Sequence, residues 1–311
     1  MTFAACGAPP GRRGWECIAP ANPGGGWDLT CRAVGAALDG LGLASGSVRV
    51  TNMPGAGGGV AFAHTITLRA RDSALIVAAS PSTTLRLAQR QYGRFSEHDV
   101  RWVAALGAEY GVLAVARDAQ IQTLADVIAA WRSNASAVIS GGGSAVAGQD
   151  HMKILLLAQR AGLDPRRIRY VPFDGGGEAL TALLGGFIHL LSGDASEVEA
   201  QFEAGNVRVI AVLAPERLAG PLAGVPTAHE QGIPLDWITW RGFYAPGGIS
   251  DAAYTRWVDA LTRVAQSPEW MEARRRYGLA PYFVAGDEFR AEVEQQVEAF
   301  RAMSREIGLI R

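Results

Sequence analysis

Four glycine triplets constrain the fold of this chain more than any other feature of its sequence. They lie at 24–26, 57–59, 141–143 and 175–177, and the chain holds 38 glycines in 311 residues, well above the ~7% of average proteins. Each triplet stands between a short apolar run and a helical pattern. A strand, a glycine-rich turn and a helix form the repeating unit of parallel-sheet proteins, so the triplets predict an α/β fold.

The order of the predicted elements indicates two lobes. The strand–turn–helix pattern fills the first third of the chain, gives way to an extended apolar stretch at 101–118, and then begins again. A further predicted strand at 240–245 returns to the first half, and the end of the chain is largely helical. We therefore expect a second lobe inserted into a first one. The predicted limits are 1–115 plus 242–311 for the first lobe and 116–241 for the second.

Composition and charge exclude several protein classes. Hydrophobic residues make up 49% of the chain and charged residues 19%, which allows a sizeable core and argues against general disorder. Lys and Arg total 29, with Lys153 the only lysine, against 30 acidic residues. This balance argues against a nucleic-acid-binding protein. No apolar run reaches the ~18 residues that a membrane span needs.

The N-terminal residues carry no visible targeting signal. MTFAACGAPPGRRGWEC lacks the hydrophobic segment of a signal peptide. The chain is therefore either cytosolic or separated from its targeting segment in this numbering. FAAC at 3–6 faintly resembles the end of a lipoprotein signal without the hydrophobic stretch before it, so we expect an unstructured N-terminal extension.

The glycine turns predict an anion site. In open parallel sheets, ligands bind outside the carboxyl ends of the strands, where these turns fall. A glycine-rich turn that enters a helix exposes N–H groups without intrahelical partners at the positive end of the helix dipole. One such turn alone is most simply a tight turn. Four in equivalent positions favour a cleft for a ligand with several carboxylates or phosphates.

The sequence lacks the motifs of the alternative activities that glycine-rich turns could serve. The dinucleotide pattern fails because Leu29 takes the place of its third glycine and the second strand ends in Asn52 instead of an acidic residue. There is no Walker A sequence, no G-x-S-x-G turn and no zinc-like spacing of the five histidines. Asp150 and His151 are either an acid–base pair or the first turn of a helix. The pattern favours binding over chemistry, with no catalytic residue, cofactor or metal.

Several side chains are candidates for the cleft or the core. Arg241 lies near a predicted crossing between the lobes and either holds a ligand carboxylate bidentately or forms a surface ion pair. The aromatic candidates for cleft walls, which fit the core equally well, are Trp27, Tyr110, Phe173 and Trp240. Cys17 and Cys31 either form a disulfide around the first glycine turn or remain buried thiols.

Long motifs in this chain resemble those of one known family. They are ECIAPANPGGGWDLTCR (16–32), VRVTNMPGAGGGVAF (48–62), SGGGSAVAGQDHMK (140–153), YVPFDGGGEALTALLGG (170–186), SGDASEV (192–198), GVPTAHEQG (224–232) and RGFYAPGGIS (241–250). The chain is similar to the tripartite tricarboxylate transporter solute-binding proteins, called Bug proteins in Bordetella, and most similar to their citrate- and tricarboxylate-binding branch. The resemblance extends from about residue 16 to the end of the chain.

The resemblance implies a type II periplasmic binding protein fold, with two α/β lobes that close on a small carboxylate. It implies a periplasmic, monomeric receptor for a citrate-like ligand that serves membrane permease subunits, and it favours the Cys17–Cys31 disulfide. The alternatives are an α/β enzyme acting on a small carboxylate or nucleotide, and a carboxylate sensor for a membrane receptor. Together with Tyr110 and Arg241, the expected ligand-binding residues are Asn22, Pro23, Gly24, Gly25, Gly26, Asp28, Ser80, Ser82, Thr83, Ser140, Gly141, Gly142, Gly143, Ser144, Asp150, Phe173, Gly176, Gly177 and Asp194.

Overall fold

A computed structural model describes residues 14–44 and 46–310 of the chain. The lipoprotein-like FAAC at 3–6 lies outside the described residues. The strands of the described part are β1 (Glu16–Ala19), β2 (Arg49–Asn52), β3 (Leu75–Ala79), β4 (Val100–Ala116), β5 (Ser140–Gly142), β6 (Tyr170–Pro172), β7 (Leu190–Asp194), β8 (Val207–Leu213), β9 (Ile238–Pro246) and β10 (Val284–Ala285).

The helices cover the faces and the C-terminal end. Those of the described part are α1 (Gly26–Gly40), α2 (Gly59–Leu68), α3 (Pro81–Ala88), α4 (Leu124–Ser133), α5 (Gln149–Arg160), α6 (Gly176–Leu184), α7 (Ala195–Glu203), α8 (Asp251–Ala265), α9 (Pro268–Arg276) and α10 (Gly286–Glu306). Among them, none has the length and apolar character that crossing a bilayer requires.

The strands form one continuous sheet with two parallel ends. Its order is β2-β1-β3-β9-β4-β7-β5-β6, with β8 and β10 also paired to β4. Strands β1, β2 and β3 are parallel at one end, and β5, β6 and β7 are parallel at the other. Between them, β9 and β4 run antiparallel. The α/β prediction is confirmed.

Strand β4 is the element that joins the two ends. Val100–Tyr110 pairs with β9, while Gly111–Ala116 pairs with β7 and β8. β4 therefore hydrogen-bonds directly to β7 of the second parallel group and is connected to the first group through β9, which pairs with β3. The predicted lobe limits fall near its end at 115 and within β9 at 242, and they stay predictions.

The sheet is buried on both faces. Under α10, Trp102 packs edge-on against Phe289 and Tyr244, with ring centroids 6.2 and 5.5 Å apart. On the opposite face, Trp15 packs against Trp257 of α8 with ring centroids 4.0 Å apart and the ring planes tilted by 42°. Apolar burial of this extent is the main stabilising term of the fold, and it holds the ends of the strands in fixed positions.

A disulfide links β1 to α1. The structure joins the Sγ atoms of Cys17 and Cys31, and both residues are buried. The bridge closes the chain around the turn between strand and helix, which contains the first glycine triplet. Because it restricts the unfolded chain, a loop of this length stabilises the fold by about 3 kcal/mol.

We expect thiol titration of the denatured, unreduced protein to find one free thiol, that of Cys6. Reduction should then lower the free energy of unfolding by about 3 kcal/mol, which urea denaturation measures. A Cys6→Ser variant is the control and should titrate no thiol. Three reactive thiols in the unreduced wild-type protein would show that the bridge does not form.

Candidate functional site

A cleft of about 540 Å³ lies where the carboxyl ends of both parallel strand groups meet. Six segments supply its walls: the turns after β1, β2, β3, β5 and β6, and the strand β9. The lining residues are Pro20, Ala21, Asn22, Gly26, Trp27, Pro54, Gly55, Gly57, Ser80, Ser82, Arg86, Gly143, Ser144, Ala145, Gln149, Phe173, Asp174 and Arg241.

Helices that begin at this cleft mostly lack a side-chain cap. The N-caps of α1 and α5, whose first residues line the cleft, are Gly25 and Gly148, and neither has a capping side chain. Helices away from the cleft, such as α4 and α8, begin with Thr123 and Ser250, whose hydroxyls accept from the first turn. Uncapped helix N-termini leave N–H donors for an external acceptor.

Three polar atoms of cleft residues are buried and have no hydrogen-bond partner. They are Trp27 Nε1, Arg86 Nε and Gln149 Oε1. Within the described residues only three further side-chain atoms share this condition, on Ser140, Trp237 and Ser304. An unsatisfied buried polar atom costs about 1–3 kcal/mol, so this concentration in one cleft indicates a missing partner.

The charges of the cleft favour an anion. Arg86 and Arg241 line it, against one acidic residue, the exposed Asp174. A second cavity of about 400 Å³ lies on the other side of Arg241 and contains three carboxylates, those of Glu109, Glu197 and Glu199. The carboxylate-rich cavity is the poorer anion site, so the cleft is the candidate.

Arg241 forms a buried ion pair instead of the surface pair considered from sequence. Its guanidinium contacts the carboxylate of Glu109, which is 1% exposed. Burial raises the pKa of Glu109, and the charge of Arg241 partly offsets this effect. Arg241 also packs against Gly26, where an added Cβ would lie 2.9 Å from Nη1. The arginine is thus fixed beside the start of α1.

Eight of the sequence-predicted ligand residues line the cleft: Asn22, Gly26, Ser80, Ser82, Gly143, Ser144, Phe173 and Arg241. The structure places the others outside its lining: Pro23, Gly24, Gly25, Asp28, Thr83, Tyr110, Ser140, Gly141, Gly142, Asp150, Gly176, Gly177 and Asp194. Several of these hold the cleft loops in place. Thr83, for example, completes the capping box of Ser80 at the start of α3.

Asp28 holds the turn after β1 in place. Its carboxylate accepts hydrogen bonds of 2.9 Å from Gly24 N, Arg32 Nε and Asn52 Nδ2. Burial alone would raise the pKa of Asp28, but these donors outweigh it and lower the pKa. These three hydrogen bonds give Asp28 a structural role in the turn, and its contact with a ligand stays a prediction.

Asp150 and Asp194 form ion pairs with a buried lysine. Lys153 Nζ, fully buried, contacts Asp150 Oδ1 at 3.0 Å, Asp194 Oδ1 at 2.6 Å and the Gly193 carbonyl at 2.7 Å. Burial would lower the pKa of Lys153, but the two carboxylates hold it above its ordinary value. Lys153 therefore compensates one of these two negative charges, which reduces the repulsion that the aspartates would exert on a polycarboxylate ligand.

His151 is a neutral partner of the β5–α5 turn and not an acid–base group. Its Nδ1 accepts a 2.9 Å hydrogen bond from Ala147 N, and its ring stacks on Tyr170 at 4.4 Å. Burial lowers the pKa of His151 to about 4. An imidazole that accepts through Nδ1 and resists protonation stabilises the turn that includes Ser144 and Ala145.

We expect acid to destabilise the protein partly through His151. Because the unfolded-state pKa is about 6.5 and the folded-state pKa is lower, this stability is present above pH 6.5 and is lost as the pH falls toward 4. NMR titration of the ring, assigned with a His151→Gln variant, should give a folded-state pKa of about 4. An ordinary value near 6.5 would refute the neutral imidazole.

Sequence reasoning missed Arg86 and Gln149 as ligand-site candidates. Arg86 lies in the last turn of α3, six residues beyond Ser80, and Gln149 is the first residue of α5. Both belong to helices that follow a predicted turn, and this was the signal available. Nothing in the local pattern showed which side of each helix faces the cleft.

The family model and the similar proteins indicate the same family. The model of the tripartite tricarboxylate transporter family receptor (TctC) matches residues 39–309. Protein BugT of Bordetella pertussis is 25% identical over 307 residues, covering 94% of this chain and 89% of that protein. A UPF0065 protein of Cupriavidus necator is 25% identical over 214 residues, and the match spans 68% of this chain and 63% of that protein.

Solved structures share the fold. MatC of Rhodopseudomonas palustris with bound malate superposes with a TM-score of 0.76 at 21% identity, covering 93% of this chain and 98% of that one. Rpa4515 of R. palustris with adipate gives 0.79 at 23% identity, with coverages of 94% and 97%. The two-lobe periplasmic binding protein fold expected from the sequence is confirmed by these likenesses.

Proposed function

The chain belongs to the tripartite tricarboxylate transporter receptor family, and we propose that it captures citrate or a related di- or tricarboxylate and delivers it to a membrane permease. The family and its fold are those of solute-binding receptors, so the chain is a receptor and not an enzyme. MatC and Rpa4515, which share the fold, carry malate and adipate.

The observation that carries the proposal is the set of unpartnered donors in a cleft with two arginines. Trp27 Nε1 and Arg86 Nε are buried without acceptors, and the cleft is lined by the first residues of α1 and α5, two helices without a side-chain N-cap. Carboxylates are acceptors only, and charge-assisted hydrogen bonds from arginine to carboxylate are strong. A ligand with two or three carboxylates satisfies donors on several loops at once.

Hinge closure follows from where the donors lie. Arg86 and Trp27 come from the first group of elements, while Gly143, Ser144 and Gln149 come from the second. A ligand that contacts both groups binds the closed form better than the open form, and only this difference in affinity favours closure. A periplasmic location, a monomeric state and recognition of the closed form by permease subunits belong to the same proposal.

We expect Arg86→Gln to weaken binding of the preferred polycarboxylate by about 10- to 100-fold, because a charge-assisted hydrogen bond contributes about 1.5–3 kcal/mol. Titration calorimetry of ligand-free protein measures it. The fold should tolerate the change, since the other contact of Arg86 is with the side chain of Gln91 in an exposed position.

The matched control is Arg90→Gln, which removes the same charge from a neighbouring, exposed position outside the cleft. It should bind as the wild type does. Equal affinities for the Arg86 variant, the Arg90 variant and the wild type would remove Arg86 from the site and weaken the proposal of a polycarboxylate ligand.

A further inference from the structure

The side-chain amide of Gln149 has one hydrogen-bonded atom and one atom without a hydrogen-bond partner. It is the first residue of α5 and lines the cleft. Its Nε2 donates to Asp194 Oδ2 at 3.3 Å. Its Oε1 is shielded from solvent and has no hydrogen-bond partner. The cleft therefore contains an unsatisfied acceptor beside its unsatisfied donors.

The orientation of this amide is fixed by the groups behind it. Asp194 is held by Lys153 Nζ at 2.6 Å, and Thr239 Oγ1 donates to the same Oδ1 at 3.3 Å. A carboxylate accepts hydrogen bonds and does not donate them. Turning the amide over would bring Gln149 Oε1 against the carboxylate oxygen of Asp194, so the oxygen remains the free end.

A carboxylate ligand alone cannot satisfy this oxygen, because an ionised carboxylate has no proton to give. A hydroxyl on the carbon skeleton of the ligand can. We propose that Gln149 is a specificity-determining residue that accepts a hydrogen bond from a ligand hydroxyl, and that the receptor selects hydroxylated di- or tricarboxylates. This inference rests on the proposed function and narrows its substrate class.

The expected selectivity follows from the asymmetry of hydrogen bonding. A ligand without the hydroxyl fills the same cleft but leaves Gln149 Oε1 buried and unpaired, and sites built to hydrogen-bond a hydroxyl discriminate against analogues that lack it. We expect the hydroxylated member of a matched pair to bind about 10- to 100-fold more tightly.

The test uses two pairs that differ by one hydroxyl, citrate with tricarballylate and malate with succinate. Titration calorimetry is run on the wild type and on Gln149→Leu, with Gln159→Leu, at the other end of α5, as the control. The wild type and the control should prefer the hydroxylated ligand in the pair that binds. In Gln149→Leu the preference should fall to about threefold or less, with thermal unfolding confirming a folded protein.

The possible results distinguish a failure of this inference from a failure of the proposed function. Equal affinities within a pair for the wild type, or an unchanged preference in Gln149→Leu, overturn the role of Gln149 while leaving a carboxylate receptor. Failure of all four ligands, together with wider dicarboxylates such as adipate, overturns the proposed function and this inference together.

Discussion

Replacing Lys153 by methionine is expected to lower the free energy of unfolding by about 3–5 kcal/mol, which is the usual cost of breaking a buried ion pair by removing one partner. Lys153 is the only lysine of the chain and is fully buried. Its removal leaves Asp150 and Asp194, which it contacts at 3.0 and 2.6 Å, without a cation. Urea denaturation followed by tryptophan fluorescence measures the loss.

The pH dependence of the stability lost in Lys153→Met identifies the cause of that loss. Burial already raises the pKa of Asp150, with the charge of Lys153 opposing that rise. Without Lys153, the folded-state pKa rises further above the unfolded-state value, so the folded protein binds more protons than the unfolded chain and stability falls as pH rises. The deficit of the variant should therefore be larger at pH 8 than at pH 5.

A second substitution provides the control for Lys153→Met. Adding Asp150→Asn removes one of the two uncompensated charges and should recover part of the lost stability, mainly at high pH. A loss below about 1 kcal/mol for the single variant, or no recovery in the double variant, would show that the aspartates do not depend on Lys153.

Gly143→Ala is expected to weaken carboxylate binding by about 100-fold, the scale of effect that a misplacement of about 1 Å can produce in a preorganised site. A Cβ on Gly143 would meet backbone atoms of the neighbouring turn, Gly176 N and the carbonyl carbon of Gly175, the latter at 2.5 Å. Backbone atoms cannot rotate away as a side chain can, so the turns after β5 and β6 must separate. Calorimetry and thermal unfolding measure the two effects.

Gly177→Ala is the matched control for Gly143→Ala. It adds the same methyl group to the same pair of turns, but its Cβ would meet nothing within 4 Å. Alanine also favours the helix α6 in which Gly177 lies. The control should retain affinity and stability, and equal behaviour of the two variants would show that contact between the turns does not shape the cleft.

Much of the fold could be predicted because its signals are local. The alternation of apolar runs, glycine turns and helices lies within short windows of sequence, and the apolar stretch predicted at 101–118 corresponds to β4 (Val100–Ala116). The returning strand predicted at 240–245 lies within β9 (Ile238–Pro246). The pairing of these two strands in one sheet is a long-range property, and only the structure shows it.

Less of the candidate site could be predicted, because its chemistry depends on side chains that are far apart in the sequence. Asp150 and Asp194 resembled acidic positions near a cleft, but Lys153 brings them together from elements 44 residues apart in sequence, from 150 to 194. Arg241 was predicted as a carboxylate ligand, but its buried partner Glu109 lies on β4. Gln149 carried no sequence signal, because its free oxygen is defined only by the contact of its nitrogen with Asp194.

The cleft is proposed to bind a small polycarboxylate. The most direct test is titration calorimetry of protein stripped of ligand by unfolding and refolding, against citrate, isocitrate, tricarballylate, malate, succinate, adipate, NAD and ATP. We predict a dissociation constant of about 1 μM or lower, about −8 kcal/mol, for at least one di- or tricarboxylate and no binding of either nucleotide. Binding of NAD or ATP with no heat from any carboxylate would contradict the account.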